Sequence, residues 1–381
     1  MKKRSEPDER QLQIGAARLK FEGRRQKEIA DVLSVGQPKV SHLLRDARKH
    51  GYLVSRPMLS QDDISDEDWK AVEQRYYVKE DLLAHLKKNA RQGVNLNARV
   101  FGGSYDEFTF AAAGRVIDLL QSSRRMGIMW GRTIEKVISG IKYRRVARSG
   151  PLKCLPLCGE PVFCITQELL EYSASQLAVS LANSLGVSHR GLPCLTGVQA
   201  YVRQELLRRE ADGKPTAWEN YLYDIPNYQM IFGKLTGPSQ PLVDQVDTVL
   251  TGVGIVAMHA ESEVYETGVF IRERIAQENY THSQLDRLIV GDIGGLLVER
   301  PDIRPDDKDI VADLNRGWTG IKAHHLESVA AKAHSSEKPG VIVVAYGAPK
   351  AAMIMEIIRR GFVNELVIDE TLYEALMKTL P

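Results

Sequence analysis

Seven residues near the start of the chain, six of them polar, have the types and spacing to read a nucleic acid. They are Gln26, Gln37, Pro38, Lys39, Ser41, His42 and Arg45, within RRQKEIADVLSVGQPKVSHLLRDARKHGYL at 24–53. Amides, hydroxyls and imidazoles match the hydrogen-bonding edges of bases, while Lys and Arg hold phosphates. A second set occurs where apolar runs give way to glycine-rich loops. Gly131-Arg132-Thr133 gathers free N–H groups, a cation and a hydroxyl, a cradle for phosphate. Gly252 and Gly254 close LTGVGIV. Asp292 precedes Gly294-Gly295, where a carboxylate can accept from sugar hydroxyls. Gly347 and Lys350 open a helix in VVAYGAPKAAMI. A lysine in a first helical turn opposes the helix dipole and points to an anion.

The elements that must hold the first set are two short helices around the turn Ser34-Val35-Gly36. Ile29, Ala30 and Leu33 form one apolar stripe, and Val40, Leu43 and Leu44 the other. Pro38 suits a first helical turn. A preceding helix at 8–22 faces the pair with Leu12, Ala16 and Leu19. This is the layout of a helix-turn-helix, whose second helix enters the major groove. The first 60 residues carry 14 Lys and Arg against 7 Asp and Glu, whereas the whole chain is only +2. A basic arm on a mildly acidic body is the footprint of DNA binding.

Pro57 and the acidic stretch 62–68 read as a linker. A connecting helix follows, with Trp69, Val72, Tyr76, Leu83 and Leu86 on a 3,4 repeat. From about residue 93 short apolar strands alternate with helices. Strands are expected at 125–130, 153–157, 248–256, 287–290, 341–345 and 365–368. Helices are expected at 108–120, from 133, and at 167–185, 323–333, 349–360 and 370–378. Such alternation predicts a Rossmann-like parallel α/β sheet covered on both faces, with ligands at the carboxyl ends of its strands. Three regions follow: a helix-turn-helix domain at 1–56, a linker and connecting helix at 57–92, and an effector-binding domain at 93–381.

Several classes are excluded or disfavoured. No G-x4-G-K-[ST], no G-x-G-x-x-G at a strand–helix junction and no G-x-S-x-G is present. No apolar run approaches the roughly 20 residues of a membrane span. The N-terminal MKKRSEPDER has no apolar core of a secretory signal, which leads to an expectation of a cytoplasmic protein. Cys154, Cys158, Cys164 and Cys194 do not have zinc-site spacing, so no metal and no cofactor is expected. His324-His325 is expected at a helix start on the surface.

The order of these pieces resembles the SorC family of sugar-binding transcriptional regulators. The likeness is carried by the helix-turn-helix, by Trp130-Gly131-Arg132-Thr133, by SLANSLG at 180–186, LTGVGIV, DIGG at 292–295, and the closing VIVVAYGAPKAAMIMEIIRRGFVNELVIDE. The resemblance implies a winged-helix-like head and an effector domain akin to sugar-phosphate isomerases. It also implies a homo-oligomer, dimer or tetramer, that binds double-stranded operator DNA and a sugar or sugar phosphate. Gly131, Arg132 and Thr133 would hold phosphate with Lys350 near them, Asp292 would contact hydroxyls, and Gly159, Gln176 and Arg272 (or Arg274) would complete the site. The chain departs from the family at Gly36, where serine is usual, and at His42, where arginine is frequent. Leu157–Pro161 replaces a glycine-rich loop that carries an arginine in some relatives. The rival reading is a sugar-phosphate isomerase-like enzyme bearing a helical hairpin, with Asp292 or Glu160 as base or Lys350 as a Schiff-base amine.

Overall fold

The computed structural model describes residues 9–21, 24–50, 52, 66–144, 150–160, 172–187, 193–203, 206, 216–233, 240–256 and 280–379. The chain divides into two compact units, Met1–Ala71 and Val72–Pro381.

In the first unit, α1 (Glu9–Phe21), α2 (Gln26–Leu33) and α3 (Gln37–Lys49) enclose a small core of Ala16, Ile29, Ala30, Val40, Leu43 and Leu44. The turn after α2 is made by Ser34 in the left-handed region (φ 55°), and the Val35 N–H closes it onto the Ala30 carbonyl at 3.0 Å. Gly36 caps α3 in ordinary extended backbone (φ −69°), a conformation any residue adopts. The winged-helix detail expected beyond α3 falls on residues outside those described.

The 3,4 repeat of the connecting segment is not one helix. It breaks into α4 (Asp66–Tyr76) and α5 (Glu80–Asn89), with Lys79 in extended backbone between them. The apolar residues of α5, Leu82 and Leu86, are fully buried in the core of the second unit.

That core surrounds a sheet of six described strands, all parallel, in the order β1-β9-β8-β4-β2-β3. The strands are β1 (Asn97–Phe101), β2 (Arg125–Ile128), β3 (Lys153–Pro156), β4 (Thr248–Thr251), β8 (Gly340–Ala345) and β9 (Glu365–Asp369). Along β8, Val341, Val343 and Ala345 join one apolar cluster and Ile342 and Val344 the other, so both faces are covered. One face packs α6 (Tyr105–Leu120), α7 (Arg132–Ile141) and α8 (Ala174–Ser184). The other packs α5, α13 (Ala323–Ser336), α14 (Ala351–Arg360) and α15 (Glu370–Lys378). The polar side chain of Asn364 is 3 % exposed and fully used. Its Oδ1 accepts from Val341 N–H at 2.9 Å, and its Nδ2 donates to the carbonyls of Asn95 and Ala330 at 3.0 and 3.1 Å.

Two expectations are corrected here. The single strand read at 248–256 is two: β4 in the parallel sheet, then β5 (Val253–Ile255), which leaves it at Gly252. β5 pairs antiparallel with β6 (Ile289–Ile293), which pairs antiparallel with β7 (Leu296–Glu299). The strand read at 287–290 is thus β6 of this separate three-stranded sheet, shifted two residues by the end of the preceding helix (His282–Leu288). β1 was not expected at all; its five residues lie at the sheet edge.

His325 lies in the first turn of α13, its ring half-buried and its Nδ1 accepting from the Lys322 N–H at 3.1 Å. Burial, then the adjacent His324, pushes it down to about 4. The unfolded chain therefore binds this proton more readily. Its contribution to stability is complete above the ordinary histidine range and is lost as pH falls from about 6.5 towards 4. Thermal unfolding followed from pH 8 to pH 4 is expected to show this acid limb, and His325→Gln to flatten it.

Candidate functional sites: a recognition helix and a ligand cavity

On α3, Val40, Leu43, Leu44 and Ala47 point inward, while Gln37, Pro38, Lys39, Ser41, His42 and Arg45 are all exposed on the opposite side. Gln26, at the start of α2, is half-buried. The exposed side chains are not idle. Lys39 Nζ pairs with Glu9 Oε1 of α1 at 2.5 Å, and the Arg45 guanidinium sits 2.8 Å from His42 Nδ1 and 3.6 Å from Asp46 Oδ1. Exposed pairs of this kind contribute little to folding. They do set where the charges of Lys39 and Arg45 are held.

In the second unit, β2 is followed by a connection to β3 on one side, while the strand after β4 in the sheet, β8, lies on the other. The order therefore reverses between β2 and β4, and a crevice opens at their carboxyl ends. A cavity of about 430 Å³ occupies this place. Four segments wall it. From the end of β2 and the start of α7 come Trp130, Gly131, Arg132, Thr133, Glu135 and Lys136. From β4 and β5 come Gly252, Val253, Gly254 and Ile255. β6 and its turn give Asp292 and Gly294, and the end of β8 gives Tyr346 and Lys350. Tyr105 and Tyr172 complete the wall.

Local chemistry explains each segment. Gly131 caps α7 at φ 147°, a backbone that favours glycine, and aims the first turn of α7 into the cavity. The Trp130 indole is fixed by donating Nε1–H to Gly159 O at 3.1 Å. The Thr133 hydroxyl accepts from Tyr105 at 3.2 Å, and the Tyr105 ring meets Tyr346 edge-on, centroids 5.0 Å apart. Asp292 lies opposite Gly254 in the β5–β6 ladder. Gly294 (φ 55°) and Gly295 (φ 102°) form the two-residue turn from β6 to β7, both positive as a type I′ hairpin needs. The turn brings Gly295 N–H onto Asp292 Oδ2 at 2.7 Å.

Asp292 is 3 % exposed, and its Oδ1 has no partner among the described residues. Burial pushes its carboxyl up to about 6, opposed by the Gly295 hydrogen bond and by Lys350. A raised carboxylate stabilises the fold below its unfolded pKa, and that stability is lost as pH rises through about 6. At neutral pH the charge thus works against folding. A side chain kept at such a cost inside a cavity is the mark of a site.

Of the effector residues expected from sequence, Gly131, Arg132, Thr133, Gly252, Gly254, Asp292 and Lys350 are brought together on this wall. Gly347 stands just behind it, its N–H donating to Asp369 Oδ1 at 2.7 Å. Gly159 and Gln176 are not on the wall. Gly159 is a packing residue, since a Cβ there would lie 2.5 Å from the Val198 carbonyl. Gln176 is exposed on the first turn of α8. Arg272 and Arg274 lie outside the described residues, as does Cys164. Glu160 is also off the wall: it is buried, and its carboxyl is pushed up by desolvation despite the hydroxyls of Ser175 and Ser173. Sequence reasoning missed the aromatic part of the wall. Tyr346 was legible as the last residue before Gly347, but Tyr105 follows the unexpected β1.

No family model matches the sequence, and no curated protein matches it. Solved structures share its fold. The full-length sorbitol operon regulator SorC from Klebsiella pneumoniae superposes with TM-score 0.54 at 18 % identity, over 96 % of this chain and 98 % of that one. A domain of a possible sugar-binding transcriptional regulator from Arthrobacter aurescens gives 0.51 at 17 %, over 79 % and 98 %. A probable sor operon regulator from Shigella flexneri gives 0.50 at 16 %, over 80 % and 100 %. At these identities the likeness establishes the architecture, a helical head followed by a Rossmann-like sheet.

Asp292→Asn keeps the acceptor for Gly295 and removes the buried charge. The variant is expected to be more stable than wild type at pH 7.5, by about 1–3 kcal/mol, and to lose that advantage below pH 5. Chemical denaturation at the two pH values measures it. An Asn variant less stable at pH 7.5 would show the charge to be compensated.

Proposed function

We infer that the protein is a DNA-binding transcriptional regulator controlled by a small carbohydrate effector, and that the effector carries a phosphate. The observation that carries this reading is the switch-point cavity in a chain that also presents a polar recognition helix. Arg132, Lys136 and Lys350 supply positive charge beside the N–H groups at the start of α7, which suits a phosphate. Asp292 supplies a hydroxyl acceptor, and the tyrosine and tryptophan rings supply flat apolar walls for a sugar ring. The structural neighbours described as sugar-operon regulators support the same assignment, as does the exposed face of α3. The effector acts by binding one arrangement of DNA-binding heads better than another, in a homo-oligomer that presents heads in pairs.

Thermal unfolding of the full chain against a panel of sugar phosphates, free sugars and polyols tests the effector. A true ligand at about 100 times its Kd stabilises the fold by roughly 2.7 kcal/mol. Thr133→Ala and Lys350→Ala are expected to weaken a phosphorylated hit at least tenfold without unfolding. Wild-type binding by both would remove the cavity from the proposal. Gln37→Ala combined with Arg45→Ala is expected to abolish specific DNA binding in a mobility-shift assay and leave the ligand shift intact.

One observation favours a second reading. A buried carboxyl at about 6 is what a proton-transferring enzyme would place beside a sugar. Incubating each stabilising sugar phosphate with the protein and following its isomerisation decides between them. Turnover that disappears in Asp292→Asn would make the protein an isomerase.

A further inference from the structure

The recognition helix carries an internal constraint on how it can read a base, an inference that rests on the DNA-binding assignment above. Arg45 and His42 are three residues apart on one exposed face of α3, with Arg45 Nη2 2.8 Å from His42 Nδ1. A guanidinium has five donors, no acceptor, and does not deprotonate in proteins. The contact can only be a hydrogen bond donated by Arg45 and accepted by Nδ1. The imidazole is then neutral with its proton on Nε2. Arg45 is itself restrained, since its Nε lies 3.6 Å from Asp46 Oδ1 on the next residue. Lys39, another cation of this face, is tied to Glu9 at 2.5 Å. Lys39 and Arg45 are thus held by intramolecular contacts around a ring with a single N–H donor at Nε2, in the middle of the helix.

We propose that His42 is a base-reading residue of α3, presenting Nε2–H to an acceptor on a base edge and so excluding cytosine, and that Arg45 is a positioning residue that fixes this tautomer. Guanine, adenine and thymine each offer an acceptor in the major groove, whereas cytosine offers a donor there. A ring free to exchange tautomers would present an acceptor part of the time and discriminate less.

The test is selection of binding sites by the full-length protein from a randomised duplex pool, followed by affinity measurements on the selected site and on versions changed at single positions. Wild type is expected to disfavour cytosine at one position of each half-site, by about tenfold relative to the other bases. His42→Leu loses that preference and keeps those at other positions. Arg45→Leu loses it too, although its own side chain touches no base, and Arg45→Lys, which retains a donor, restores it. Both positions are exposed, and unchanged unfolding temperatures confirm that the unit is intact. If Arg45→Leu binds all sequences more weakly but still excludes cytosine, Arg45 is a phosphate contact and the proposal is overturned. If no exclusion of cytosine depends on His42, it is likewise overturned. If wild type enriches no sequence at all, the DNA-binding assignment itself fails, and this inference with it.

Discussion

Everything in the larger unit depends on one constraint: six short strands buried on both faces must run parallel. Parallel strands need crossovers, and crossovers place all the strand ends that bear loops at one edge. Where the order reverses, between β2 and β4, no connection covers the sheet, and a crevice is left. The residues after β2, β4 and β8 reach that crevice without any of them being close in sequence. The buried amide of Asn364 shows how tightly the arrangement is specified. Its three hydrogen bonds join the start of β8, the helix α13 and the segment before β1. A buried amide satisfied this fully fixes one register, because a slip would strand polar groups in apolar surroundings.

The cavity takes the carboxylate of Asp292 from outside the parallel sheet. Gly252 lets the chain leave β4 at once for β5, and the β5–β6–β7 arm folds Asp292 over the crevice. The tip of that arm has no room for side chains, since a Cβ at Gly295 would lie 2.3 Å from Trp318 and one at Gly294 2.3 Å from Met129. Tight packing at the tip holds a desolvated carboxylate at the cavity wall, and the fold bears the cost of its ionisation. On the proposed effector role, stability and ligand recognition would pull this residue in opposite directions.

The smaller unit follows a different logic. Its core is small, and its function lies on the surface that the core leaves outside. The apolar stripe of α3 decides which residues are exposed, but not what they do once exposed. Pairs to Glu9 and Asp46 hold Lys39 and Arg45, two of the cations that α3 exposes.

The sequence by itself determined the elements with strong local signals. The stripes of α2 and α3, the continuous apolar runs of β8 and β9, and the glycines before α7 and after β8 declared themselves, because periodicity and positive φ are properties of a few neighbouring residues. The order of motifs pointed to the architecture that the solved structures share. Tertiary structure alone decided the rest. β1 is a five-residue edge strand whose partner, β9, lies some 270 positions away, and nothing local marks it. The split of 248–256 into two sheets depends on which strands each half meets. Gly159 looked like a loop glycine for a ligand and proved to be one that admits a neighbouring carbonyl. The tyrosines of the cavity came together only through the sheet.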